Sequence, residues 1–167
     1  YWPNNCTVMV RGDFDTIECL ELIAKHYGPI PSSPNPIPVV YTVEPPQEGE
    51  RRFEIERPGD LPRVWAGFHI PQANHADTYA LAALRAVLGG GGSKSSRLYK
   101  RLVFDEKIAV NVGAFNSESE IGSQFLVMVT AKPGVDLARI ETIVDEEMGK
   151  LMRDGPTADE LERARTS

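Results

Sequence analysis

The sequence predicts an α+β domain of two layers, a mainly antiparallel sheet with helices packed on one face. Three observations carry that expectation. Strand-like stretches come in adjacent pairs, 51–57 with 63–70 and 107–116 with 123–131. Helical periodicity lies between and after the pairs, over 76–88 and 95–103 and again from Asp136 onward. Strands in adjacent pairs, with helices between the pairs, are the pattern of an antiparallel sheet covered on one side.

Each element has its own justification. Residues 6–12, Cys-Thr-Val-Met-Val-Arg-Gly, read as a short, mostly apolar strand. Asp15 followed by Glu18 has the spacing of a capping box, Ile17, Leu20, Ala24 and Tyr27 mark one helical face, and Gly28 stands at the stop position. Residues 29–49 carry Pro29, Pro31, Pro34, Pro36, Pro38, Pro45 and Pro46. So many fixed φ angles and missing N–H donors predict an extended, semi-rigid linker. In 51–57, Phe53 and Ile55 alternate with Arg52, Glu54 and Glu56, which leaves one face solvated. In 63–70, Val64, Ala66, Phe68 and Ile70 share one face and Trp65 and His69 the other.

Leu81, Leu84 and Leu88 line the helix over 76–88, which the glycine run ends, and Leu98 and Leu102 mark the shorter helix. Ile108, Val110, Val112 and Ala114 fall on one face of 107–116. The run Phe-Leu-Val-Met-Val within 123–131 is apolar on both faces, which suits a central strand. Asp136 caps a long helix with the face Ile140, Val144, Met148 and Leu151, closed by Gly155 and Pro156. Thr157 with Glu160 is a second capping box, opening a helix that the end at Ser167 cuts.

Composition narrows the function. With 167 residues, 41% hydrophobic and 25% charged, the chain is globular and soluble, and suits one domain or one plus a piece of another. Its longest apolar runs, such as Phe125 to Val129, are too short to span a bilayer, so no transmembrane segment is expected. No leader of basic then apolar residues is visible, and the opening Tyr-Trp-Pro suits an excised piece of something longer. A net charge of −6 with scattered Lys and Arg argues against a nucleic-acid partner, which needs a basic stripe. Cys6 and Cys19, 13 residues apart and without CxxC spacing, read as two ordinary, buried thiols.

The residues suggest several chemistries and sustain none. Gly89 to Gly92 running into Ser93-Lys94-Ser95-Ser96 has the parts of a phosphate cradle. A P-loop requires glycine before its lysine, and Ser93 stands there. The dinucleotide fingerprint fails as well, because its last glycine would fall on Lys94 or Ser95, and the loop follows a helix rather than a strand. A flexible helix-to-helix connection is the better reading. The histidines His26, His69 and His75 have neither HExxH nor HxxEH spacing, and read as surface or half-buried groups rather than zinc ligands. There is no G-x-S-x-G, and Asp145, Glu146 and Glu147 read as a solvated acidic patch. No catalytic, cofactor-binding or metal-ligating residue is therefore assigned.

Taken in order, the segments YWPNNCTVMVRGDFD, LIAKHYGPIP, EPPQEGERRFEIERPGDLPRVWAGFHIP, LGGGGSKSSRLYKRLVFDEKIAVNVGAF and DGPTADELERART resemble the pitrilysin/insulinase superfamily of zinc metallopeptidases, of the mitochondrial-processing-peptidase type. The resemblance implies a protein of two similar α+β halves that close over a peptide, with zinc held by an HxxEH motif in the first half. It places residues 1–28 at the end of that first half, 29–49 in the linker and 50–167 in the second, zinc-free half, which would continue beyond Ser167. The zinc ligands would then lie in the missing first half, before Tyr1.

Many members carry an arginine and, seven residues later, a tyrosine that hold substrate or transition state. The matching positions here are Val103 and Val110, neither of which can donate a hydrogen bond. The implied role is to complete the peptide-binding chamber and the subunit contacts, with no activity in isolation. The implied partners are a peptide or unfolded protein substrate, the missing first half, and a homo- or hetero-dimer mate carrying the Arg/Tyr pair. The parent would be a zinc-dependent metalloendopeptidase of the bacterial periplasm or cytoplasm. The alternative is a catalytically inactive scaffold homologue, like the core proteins that share this fold in respiratory complexes.

Overall fold

The structure, a computed structural model, describes residues 2–39, 41 and 45–166. The parts of the linker expectation that fall on Val40 and on 42–44, and the cut end at Ser167, lie outside the described residues. The chain divides into two compact units, Tyr1–Thr42 and Val43–Ser167.

The first unit holds a 3-10 turn at Pro3–Asn5 and the helix α1, Thr16–Tyr27. Asp15 caps α1, its carboxylate accepting from the N–H groups of Ile17 and Glu18 at 2.8 and 2.9 Å. None of the described residues of this unit is buried. The strand expected over 6–12 does not form there: the segment has no regular structure, and Val8, Met9 and Val10 are exposed. A strand needs a neighbour to take its N–H and C=O groups, and this one has none among the described residues of its unit. The stretch 51–57, in the second unit, is corrected for the same reason. Phe53 and Ile55 are 82% and 63% exposed, and no ladder among the described residues engages them.

The second unit is built on a three-stranded sheet of β1 (Arg63–Ile70), β2 (Ala109–Ser117) and β3 (Ser123–Ala131) in the order β1-β3-β2, antiparallel throughout. The doubly apolar strand is thus the central one. Helices accompany it: α2 (Thr78–Leu88), a 3-10 turn at Gly90–Gly92, α3 (Arg97–Tyr99) with its π-helical continuation Lys100–Asp105, α4 (Leu137–Asp154) and α5 (Ala158–Thr166). Alternation decides what the sheet buries. Val112 and Ala114 of β2 and Phe125, Val127, Val129 and Ala131 of β3 point to the helices and are almost fully buried. They meet Val87 and Leu88 of α2, Leu98 and Leu102 of the α3 segment, and Ile140, Ile143, Val144 and Leu151 of α4. Each large side chain so buried contributes about 1.5–3 kcal/mol.

The helix boundaries follow local chemistry. Asp136 caps α4 by accepting from the N–H of Ala138 at 3.0 Å. Gly155 ends it with φ 70, a left-handed turn that glycine takes without a β-carbon penalty. In α5 the capping box is reciprocal: Glu160 accepts from the N–H of Thr157 at 2.8 Å, and Thr157 Oγ1 accepts from the N–H of Glu160 at 3.2 Å. Among the described residues no helix is long and apolar enough to cross a membrane.

Candidate functional site

The glycine loop is seated rather than flexible. Gly89 and Gly90 are buried, and the Gly89 carbonyl accepts from the N–H of Ala114 at 3.1 Å, which ties the loop to β2. A β-carbon at Gly90 would come within 2.8 Å of the Arg85 carbonyl oxygen, so close approach explains that glycine, and a φ of 68 explains Gly92. Ser93 and Ser95 share a hydroxyl hydrogen bond of 2.9 Å. The loop delivers Leu98 and Leu102 into the core and leaves Arg97 and Arg101 on the other side of the same turns.

Those arginines organise a charged network. Arg97 donates through Nε and Nη2 to the two carboxylate oxygens of Glu160 at 2.7 and 2.8 Å, and Nη2 also donates to the Gly155 carbonyl at 3.1 Å. Both side chains are about five-sixths buried, at 16% and 15% exposed. The hydrogen bonds from Arg97, with that from the Thr157 N–H, outweigh burial and lower the Glu160 carboxyl to about 2. Arg101 reaches Glu106, Glu146 and Glu147 at 3.3, 3.0 and 3.2 Å, Lys150 reaches Glu147 at 2.6 Å, and Arg139 reaches Glu106 at 2.6 Å. Arg97, Arg101, Glu147, Lys150 and Glu160 line, with Lys100 and Asp105, an open groove of about 410 Å³. Its arginines are engaged in ion pairs, so the groove reads as a lock between α3, α4 and α5 rather than a reaction centre. Glu147 corrects the expectation of a solvated acidic patch: it is only 7% exposed, because Arg101 and Lys150 satisfy it where α4 faces inward.

The two valines take different roles. Val103 lies in the π-helical turn and packs against the core. Val110 is 49% exposed, because a bulge between Ala109 and Asn111 inserts one extra residue into β2. The bulge overturns the expected alternation there, burying Ala109 and turning Val110 outward. Between the valines, Lys107 sits at φ 55. That left-handed conformation costs a residue with a β-carbon about 1–2 kcal/mol, of which glycine's greater unfolded-state freedom returns about 0.5–1 kcal/mol. Lys107→Gly is therefore expected to stabilise by about 0.5–1 kcal/mol, seen as a higher urea midpoint at unchanged m. A lower midpoint would refute the strain.

No group of three or more His, Cys, Asp or Glu side chains that could hold a metal occurs among the described residues. His26 lies on α1, His69 on β1 and His75 in the loop before α2, where its Nδ1 accepts from the N–H of Asp77 at 3.2 Å. The residues present do not fit a zinc centre. Cys6 is exposed and Cys19 half-buried, both free thiols, which corrects the expectation of burial.

The face of the sheet away from the helices carries a different surface. Trp65, Leu126, Met128 and Phe115 form an apolar stripe across all three strands, with the Trp65 and Phe115 rings edge to face at 6.1 Å. Trp65 is 55% exposed. The sequence signalled this stripe in the Trp65 face of β1 and the second apolar face of β3. The Arg97–Glu160 clamp, across 63 residues, left no such signal.

Comparison with known proteins adds what geometry alone does not. The model of the peptidase M16 inactive domain matches residues 1–167. The chain is 31% identical over 165 residues to the zinc protease PqqE of Helicobacter pylori, covering 98% of this chain and 37% of that protein. It is 28% identical over 123 residues to the uncharacterized zinc protease YmxG of Bacillus subtilis, covering 74% and 29%. The chain thus spans well under half the length of these relatives. Among solved structures, a protease from Helicobacter pylori superposes with a TM-score of 0.82 at 27% identity, over 93% of this chain and 37% of that one. The inactive peptidase domain of a putative zinc protease from Bordetella parapertussis gives 0.57 at 28% identity, over 67% and 60%.

Proposed function

The chain belongs to the family of peptidase M16 inactive domains, and from that membership we propose that it is the zinc-free half of a zinc-dependent endopeptidase, completing the chamber in which a peptide or unfolded protein is held. In this reading residues 1–28 close the zinc-bearing half, 29–49 connect, and 50–167 form the second half. The break between the two compact units within that connection supports the assignment. The observation that carries the reading is the open sheet face: an apolar, largely uncharged wall backed by a locked helical layer, with no metal cluster among the described residues. Such a wall binds polypeptide without performing chemistry on it.

A valine at each position of the family's Arg/Tyr pair supports either of two settings. In one, a second subunit supplies the pair. In the other, the protein is an inactive scaffold of the same family. The experiment is direct. The purified chain is expected to bind a reduced, unfolded polypeptide in the presence of EDTA, to retain no stoichiometric zinc after dialysis, and to cleave no peptide. Tight zinc together with chelator-sensitive proteolysis by the chain alone would overturn the proposal.

A further inference from the structure

We propose that the open sheet face selects its peptide: it docks an extended segment bearing one large apolar side chain and, about three to four residues away, a carboxylate. The inference rests on the chamber-wall reading and deepens it.

Four cross-strand rows make up the face: Arg63–Thr130–Asn111, Trp65–Met128–Gly113, Gly67–Leu126–Phe115 and His69–Gln124–Ser117. Two of the rows contain a glycine, and the two glycines differ in kind. A β-carbon at Gly67 would meet Leu126 Cδ2 at 3.2 Å, so Leu126 already fills that space. A β-carbon at Gly113 would meet nothing within 4 Å. Gly113 is therefore a notch in the apolar stripe, bordered across the strand by Met128 and along it by Asn111 and Phe115. Phe115 is held by its edge-to-face contact with Trp65, and Met128 is the adaptable side chain that shapes itself to an incoming group. A leucine-sized side chain has a place to go.

Charge supplies the second criterion. The chain carries a net charge of −6, yet none of the residues in these rows is acidic. Arg63 stands at one end of the face, exposed and without an ion pair among the described residues. An acidic side chain on the peptide meets no repulsion here and one unneutralised guanidinium. From Arg63 to Gly113 is two strand spacings and one two-residue step, a diagonal of about 12 Å, which extended peptide spans in about three to four residues.

The test is fluorescence anisotropy of labelled peptides, otherwise serine and glycine, that carry one leucine and one aspartate about four residues apart. The chain is expected to bind this peptide about tenfold more tightly than an all-serine/glycine control. Gly113→Val fills the notch without a clash and suits a strand; it should abolish the leucine preference with the melting temperature unchanged or higher. Arg63→Gln should erase only the difference between the aspartate peptide and its asparagine counterpart. Equal binding of all peptides, or an unaltered preference in Gly113→Val, overturns the selective surface and leaves the chamber wall standing. Failure to bind any unfolded polypeptide overturns both. Dimerisation of the chain that Gly113→Val abolishes would assign the face to a second copy and likewise overturn the proposal.

Discussion

Arg97→Ala is expected to cost about 3 kcal/mol, because it strands the Glu160 carboxylate in a site that is 15% exposed. The lost fork also frees the Gly155 carbonyl, so the α4–α5 junction loses its anchor to α3. Urea denaturation of wild type and variant measures the difference, and a change under about 1 kcal/mol would place the pair among ordinary surface salt bridges. The same contact sets a pH dependence. The Arg97 fork holds the Glu160 carboxyl at about 2 in the folded chain against 4.5 for a free glutamate, so its contribution is fully present above about pH 4.5 and is lost as pH falls toward 2. The contribution is on the order of 3 kcal/mol before solvent screening reduces it. Glu160→Gln should flatten the stability profile across that window, and an unchanged acid limb would assign the acid loss to other carboxylates.

Phe125→Ala is the largest single-residue loss expected in the core, about 3–5 kcal/mol. Phe125 is 1% exposed near the start of the central strand, paired with Phe68 on one side and Asn116 on the other. For a domain of this size that is a large share of total stability. The neighbouring Leu126 points to the open face, so Leu126→Ala should cost well under half as much. Equal losses at the two positions, measured by the same denaturation series, would mean that both faces of the sheet are covered.

Much of this architecture was legible in the sequence, and the failures have physical reasons. The central place of β3 followed from its two apolar faces, and the caps at Asp15, Asp136 and Thr157 followed from local spacing, because capping is settled within a few residues. The segments 6–12 and 51–57 misled because alternation describes a surface that would suit a sheet without supplying the neighbour. Val110 misled because a bulge is a property of two strands in register, and only one was being read. Glu147 looked solvated because its arginine partner comes from an element 46 residues away. Of the candidate site, the apolar stripe was half visible, and the Gly113 notch depended on knowing which glycine had a side chain leaning over it.

The double use of Glu160 also bears on the order in which the molecule assembles. Its bond to Thr157 closes over three residues and can form as soon as α5 starts to wind, whereas Arg97 must arrive from 63 residues earlier in the chain. Closing that loop carries an entropic toll that grows with its length. The clamp therefore belongs late on the folding route, after the sheet and α4 have brought α3 into place. Interactions absent from the transition state govern how fast a protein comes apart rather than how fast it forms. The Arg97–Glu160 pair is accordingly a kinetic latch, whose loss should quicken unfolding while leaving the refolding rate nearly untouched.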